Sequence, residues 1–148
     1  MRTVIAGVIV FLLAACGGGD GEQHTIEGTM TISGARGVIE MGRDAGDGDA
    51  CEGRAGYAYG DLGAGAQVTV RNGSGVTLAL GRLGMGKLSG VIGTSITPAG
   101  AGTCTMPFEI EVPGSDFYEI EVSHRGGLQY SEAEMEQMDW TVSLSLES

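Results

Sequence analysis

The chain is short of positive charge. It carries 8 Lys and Arg against 19 Asp and Glu, a formal net charge of −11. Phosphate binding needs clustered Lys and Arg, so DNA and RNA are excluded as partners. Proline is scarce, with 3 residues, and the 28 glycines follow no three-residue period. A collagen-like fibre is therefore excluded. There is no long hydrophobic run either. Val4 to Ala15 is apolar for 12 residues, and a bilayer-spanning helix needs about 20. What remains is a chain of 148 residues that is 42% apolar, enough to bury the core of one domain.

The short apolar run has a recognisable setting. It follows Met1-Arg2-Thr3, with one positive charge, and it ends Leu13-Ala14-Ala15-Cys16. That is the layout of a signal peptide, and the last four residues resemble the bacterial lipobox. The resemblance implies cleavage before Cys16, acylation of Cys16, and an extracytoplasmic protein lipid-anchored to the bacterial cell membrane. Each acyl CH₂ buried in the bilayer contributes about 0.8 kcal/mol, so two or three chains anchor durably. The expected layout is a signal peptide over 1–15, a lipidated flexible tether over 16–23 and a folded domain over 24–148. Gly17-Gly18-Gly19-Asp20-Gly21-Glu22 has no apolar period and suits a tether.

Cys51 and Cys104 remain. Two thiols in an exported chain most simply pair. A metal site is the weaker expectation, because distant cysteines with only His24 and His124 lack zinc-like spacing.

The body of the chain alternates with period two. Ile26, Met30 and Ile32 share one face, and Val38 to Met41 is a short apolar stretch. Gly42 to Gly65 reads as loop. Gln67 to Arg71 and Val76 to Leu80 flank Asn72-Gly73-Ser74-Gly75, a strong hairpin signal. Met106 to Val112 and Tyr118 to Val122 flank Pro113-Gly114-Ser115 and read as a second hairpin, with Glu109, Glu111, Glu119 and Glu121 facing water. Gly81 to Gly102 reads as a long loop with a strand near Leu88 to Ile92. Ser131-Glu132-Ala133-Glu134 fits a capping box opening a short helix, with Met135 and Met138 at helical spacing. Trp140, Val142, Leu144 and Leu146 then alternate as the last strand. The expectation is an all-β protein: a single antiparallel β-sandwich of seven to eight strands with one short helix before the last.

Two stretches add a resemblance. Gly65 to Val70 with Gly75 and Leu80-Gly81, and Phe108 to Pro113 leading into Phe117 to Val122, resemble prealbumin-like, Cna-B type modules. This covers about residues 62 to 123 and implies a prealbumin-like or otherwise Ig-like sandwich. The Cys pair, the long Gly loop and the helix-plus-strand tail depart from that pattern. Nearly the whole folded domain is also similar to uncharacterised bacterial secreted and lipoprotein domains, which implies no particular activity.

Three groups of residues invite chemistry. Asp44, Asp47, Asp49 and Glu52 cluster around Cys51, with Asp61, Tyr57 and Tyr59 nearby. Ca²⁺ wants six to eight oxygens, and such carboxylates supply them. The EF-hand pattern is absent, and a solvated acidic loop explains the same residues. The two tyrosines suit a binding patch for sugar or protein, or packing over a disulfide. Gly81-Arg82-Leu83-Gly84-Met85-Gly86-Lys87 matches seven positions of a P-loop, but Leu88 stands where Ser or Thr should hold magnesium. His124 with Ser123 or Ser131 and Asp116 or Asp139 supplies the residue types of a hydrolytic triad, without a Gly-x-Ser-x-Gly elbow. Asn72-Gly73-Ser74 matches a glycosylation sequon, which the hairpin turn explains. The expectation is a non-enzymatic interaction or envelope-structure module, needing no cofactor, with an envelope protein or glycan as partner. The alternative is a small-ligand or Ca²⁺ binder using residues 44–61, and a hydrolase ranks third.

Overall fold

The computed structural model describes residues 21–35, 39–42, 44–92 and 101–147. The expected signal peptide over 1–15, Cys16 and most of the expected tether lie outside these residues.

Among the described residues, two sheets and one helix follow the apolar alternation. The first sheet is built from β1 (Gln23–Ala35), β2 (Ile39–Met41), β3 (Ala50–Gly53), β6 (Gly86–Ile92), β7 (Ala101–Pro113) and β10 (Thr141–Glu147). Its order is β10-β1-β7-β6-β3-β2. The second contains β4 (Gln67–Arg71), β5 (Thr77–Arg82), β8 (Phe117–Val122) and β9 (Gly127–Ser131), in the order β5-β4-β8-β9. The helix α1 (Glu132–Gln137) connects the two sheets between β9 and β10.

Register decides which residues become core. Ile26 lies opposite Ile110, Met30 opposite Met106 and Ile32 opposite Cys104, so these pairs share the inner face of the first sheet. Val68 and Val70 pair with Val122 and Ile120 on the inner face of the second. All of these are buried. Burying such a side chain stabilises by roughly 1.5–3 kcal/mol. Gly28 lies opposite Phe108, and the Phe108 ring fills its missing side chain: a Cβ at Gly28 would stand 2.1 Å from Phe108 Cζ.

The architecture is all-β, as the alternation implies, but differs in four respects. First, there are ten strands among the described residues. β3 and β9 fall in stretches whose Gly content hides their alternation. Second, Phe108–Val112 and Tyr118–Val122 do not form a hairpin. β7 pairs with β1 and β6, whereas β8 pairs with β4 and β9. Pro113 to Ser115 turn the chain from one sheet into the other, and the buried Tyr118 hydroxyl holds that corner. It accepts from the Ser115 N–H at 2.8 Å and lies 3.3 Å from the Pro113 carbonyl. Third, the sandwich is not wholly antiparallel: β10 runs parallel to β1. The crossover through β8, β9 and α1 returns the chain to the same end from which β1 starts. Fourth, Leu80 of β5 faces outward, while Leu78 packs partly against the core. Leu80 pairs with Thr69, not with a core valine, and is 63% exposed.

The helix begins as expected. Ser131 caps it, its side chain accepting from the Glu134 N–H, while the Glu134 carboxylate accepts from the Ser131 N–H at 2.7 Å. The Ser131 N–H, and the Ser131 hydroxyl donating at 2.8 Å, hold the Glu134 carboxyl below its usual range.

Cys51 and Cys104 form a disulfide across a sequence separation of 53. It packs against Gly86, where a Cβ would stand 2.6 Å from Cys104 Sγ and 2.4 Å from the Cys51 carbonyl oxygen. A residue with a side chain does not fit there. The glycine of the apparent P-loop is thus a packing requirement, and Gly81 to Lys87 runs from the end of β5 into β6 with no helix following.

Candidate functional site

The acidic loop does not gather its carboxylates. Asp47 Oδ1 accepts from the Val91 N–H at 3.0 Å, and Asp49 Oδ2 accepts from the Gly46 N–H at 2.8 Å. Asp44 is exposed. Glu52 lies opposite Glu40 in the β2–β3 register, with Arg54 at 3.5 Å from Glu40. Asp61 pairs with Arg125, which also donates to the Ala58 carbonyl. The Arg125 hydrogen bond is the main reason the Asp61 carboxyl is held down to about 2. Among the described residues, no three His, Cys, Asp or Glu side chains are placed to share a metal ion.

The two tyrosines have separate fates. Tyr59 is buried, with the Arg125 guanidinium 5.5 Å from its ring centre. Tyr57 is 54% exposed, under the Arg54 guanidinium at 5.2 Å. The 54–66 segment is therefore a folded cover on one part of the sandwich. Gly53 donates to the Leu62 carbonyl at 2.7 Å, Gly65 to that of Leu83 at 2.8 Å, and Leu62 is buried.

Of the triad residue types, Asp116 and Ser131 stand at the start of β8, Phe117 lying opposite Ser131, whereas His124 follows its far end. Ser131 is committed to the helix cap. The Asp116 backbone carbonyl accepts from the Glu132 N–H at 3.0 Å. His124 sits exposed in the turn after β8.

Sequence reasoning missed His24. Its ring stacks on Trp140, centroids 3.7 Å apart and planes 9° apart, and Tyr118 meets Trp140 edge-on at 5.4 Å. His24 Nε2 is buried without a hydrogen bond, 3.8 Å from Glu132. Asp139 and Trp140 both adopt left-handed backbone, φ 49° and 57°. Such conformations cost of order 1 kcal/mol or more in a residue with a side chain. Here they aim Trp140 at His24 and deliver the chain into β10. The partner of His24 comes from 116 positions along the chain, so no local pattern could announce it.

Sequence reasoning also missed an opening. β10 is one edge of the first sheet, and β9 is one edge of the second. Between them lies a cleft of about 220 Å³, lined by Met30, Ile120, Val122, Leu128, Leu144 and Leu146 together with Arg125, Ser145 and two glycines. Leu128 is opposite Ile120 and so on the inner face. Yet Ile120 is 1% exposed and Leu128 is 54% exposed. Among the described residues no strand continues either sheet here, which leaves inner-face side chains uncovered.

Among the described residues, nothing pairs with the outer side of the β10 edge. The Glu27 N–H donates to the Trp140 carbonyl at 3.0 Å. In a parallel ladder this phase turns the peptide groups of Val142, Leu144 and Leu146 toward β1 and those of Ser143 and Ser145 outward. No charged residue stands between Thr141 and Leu146. Natural edges are usually protected by charge, proline or a bulge.

The chain matches no family model, and no curated protein or solved structure is significantly similar to it. No helix of the described residues is long and apolar enough to cross a membrane.

Proposed function

We propose that this chain is an exported lipoprotein, anchored through an acylated Cys16, whose β-sandwich is a non-enzymatic interaction module. The open corner between β9 and β10 is its contact surface. The observation that carries this reading is the exposure of Leu128 on an inner sheet face beside an unguarded edge. Uncovered apolar side chains in a concave setting mark binding sites. Apart from Arg125, which is paired with Asp61, and Ser145, the lining is aliphatic or glycine, which suits a polypeptide partner better than a glycan. The lipobox-like Leu13-Ala14-Ala15-Cys16 supports the address.

Within the sandwiches, the prealbumin-like assignment keeps the support of the β4–β5 hairpin. The half of that resemblance carried by Phe108 to Val122 loses support, because β7 and β8 lie in different sheets.

Two experiments test the proposal. Fatty-acid labelling should mark the wild type and disappear in Cys16→Ala; label that persists contradicts the anchor. Leu128→Lys should release the protein from its native complexes after gentle solubilisation. Complexes of unchanged size would contradict the assigned surface.

A further inference from the structure

The partner that this corner fits can be specified from charge and geometry. The inference rests on the interaction-module reading above and concerns its mode. Residues 126–147, with β9, α1 and β10, contain five acidic residues but no Lys or Arg, and Arg125, which also lines the cleft, is already paired with Asp61. The outer face beside β10 continues the sign: Glu27 lies next to Thr141 and opposite Glu109. Like charges directly opposite one another are destabilising. An added cation nearby offsets that repulsion.

We infer that β10 accepts an extended segment of another polypeptide as an additional strand, and that this segment alternates apolar with basic residues. Its backbone pairs with the outward peptide groups of Ser143 and Ser145. Its apolar side chains enter the cleft against Leu128, Leu144 and Leu146. Its Lys or Arg side chains stand on the outer face and reach over Thr141 toward Glu27. Main-chain pairing gives affinity in this mode, and the alternate side chains give specificity. A second copy of this chain fits less well, since its own β10 brings Glu147 and no cation.

The test titrates the purified full chain with a synthetic peptide of alternating valine and lysine, about eight residues long. A control peptide has glutamate in place of lysine. Backbone NMR should show the Ser143 and Ser145 amides becoming protected from exchange and the Leu128 signals shifting. The glutamate peptide should bind at least about tenfold more weakly. Ser145→Pro removes an outward N–H that β1 does not use, so the fold tolerates it. That variant should keep its spectrum elsewhere and lose at least about tenfold in affinity. Equal binding by the glutamate peptide, or unchanged affinity in Ser145→Pro, overturns the inference. So does a β10–β10 homodimer already present without peptide. If Leu128→Lys releases native complexes while the peptide leaves β10 unaltered, strand addition fails and the interaction reading stands. If neither responds, both fail.

Discussion

The two margins of the first sheet are built in opposite ways. At the β2 margin the edge strand is three residues long. The neighbouring β3 carries a disulfide to β7, and the 54–66 segment folds over the inner side under the Arg125–Asp61 ion pair. At the β10 margin the edge is seven residues long, uncharged to Leu146, and beside an uncovered cleft. The margin rich in Cys, Tyr and charge is the one that stability explains. The margin with no disulfide, whose edge strand is uncharged up to Leu146, is the one left for a partner. Residues that look chemically rich in a sequence are thus not a guide to where this molecule is open.

The largest expected effect comes from cutting the closed margin. Cys51→Ser together with Cys104→Ser should cost about 4 kcal/mol on the chain-entropy account of a loop this long, read as a shift in urea unfolding. An effect below about 1 kcal/mol would mean that the packing around Gly86 holds this margin by itself. Gly86→Ala should cost roughly 1–3 kcal/mol, because its Cβ meets the Cys51 carbonyl and Cys104 Sγ. Tyr118→Phe, at the corner between the sheets, should cost about 1–2 kcal/mol through the unpaired Ser115 N–H. On the open side, Leu128→Ser should change stability by less than about 0.5 kcal/mol. A larger loss would show that the corner is core after all.

The smallest effect is electrostatic. The folded Asp61 carboxyl sits at about 2, below its ordinary 3.8. Its contribution is therefore present above about pH 4 and is lost as pH falls toward 2. The pair is partly exposed, so the slope should be shallow. Asp61→Asn should flatten that part of the stability profile, and an unchanged profile would remove the ion pair from the account.

Much of the fold was legible because period two survives in residues such as Met30, Val70 and Ile120. The capping box at Ser131 and the turn at Asn72 were legible because their chemistry is local. The Cys pair was legible from its count alone. What period two cannot say is which of the two faces looks inward. β5 shows this: Leu80 carries the apolar signal, but pairing with β4 turns Ala79 and Gly81 to the inside. Nor can it say which strands pair, so β7 and β8 read as a hairpin and the parallel β1–β10 ladder was invisible. The open corner was hidden for the same reason. Leu128 stands between two glycines and Gln129-Tyr130, with no pattern of its own, and only its register with Ile120 makes it an uncovered core position.

Leu80 and Leu128 are both exposed leucines, one on an outer face and one on an inner face. Placing a photo-crosslinking residue at each in cells tests the central claim directly. A discrete protein adduct is expected from position 128 and none from position 80. An adduct from position 80 alone would contradict that claim.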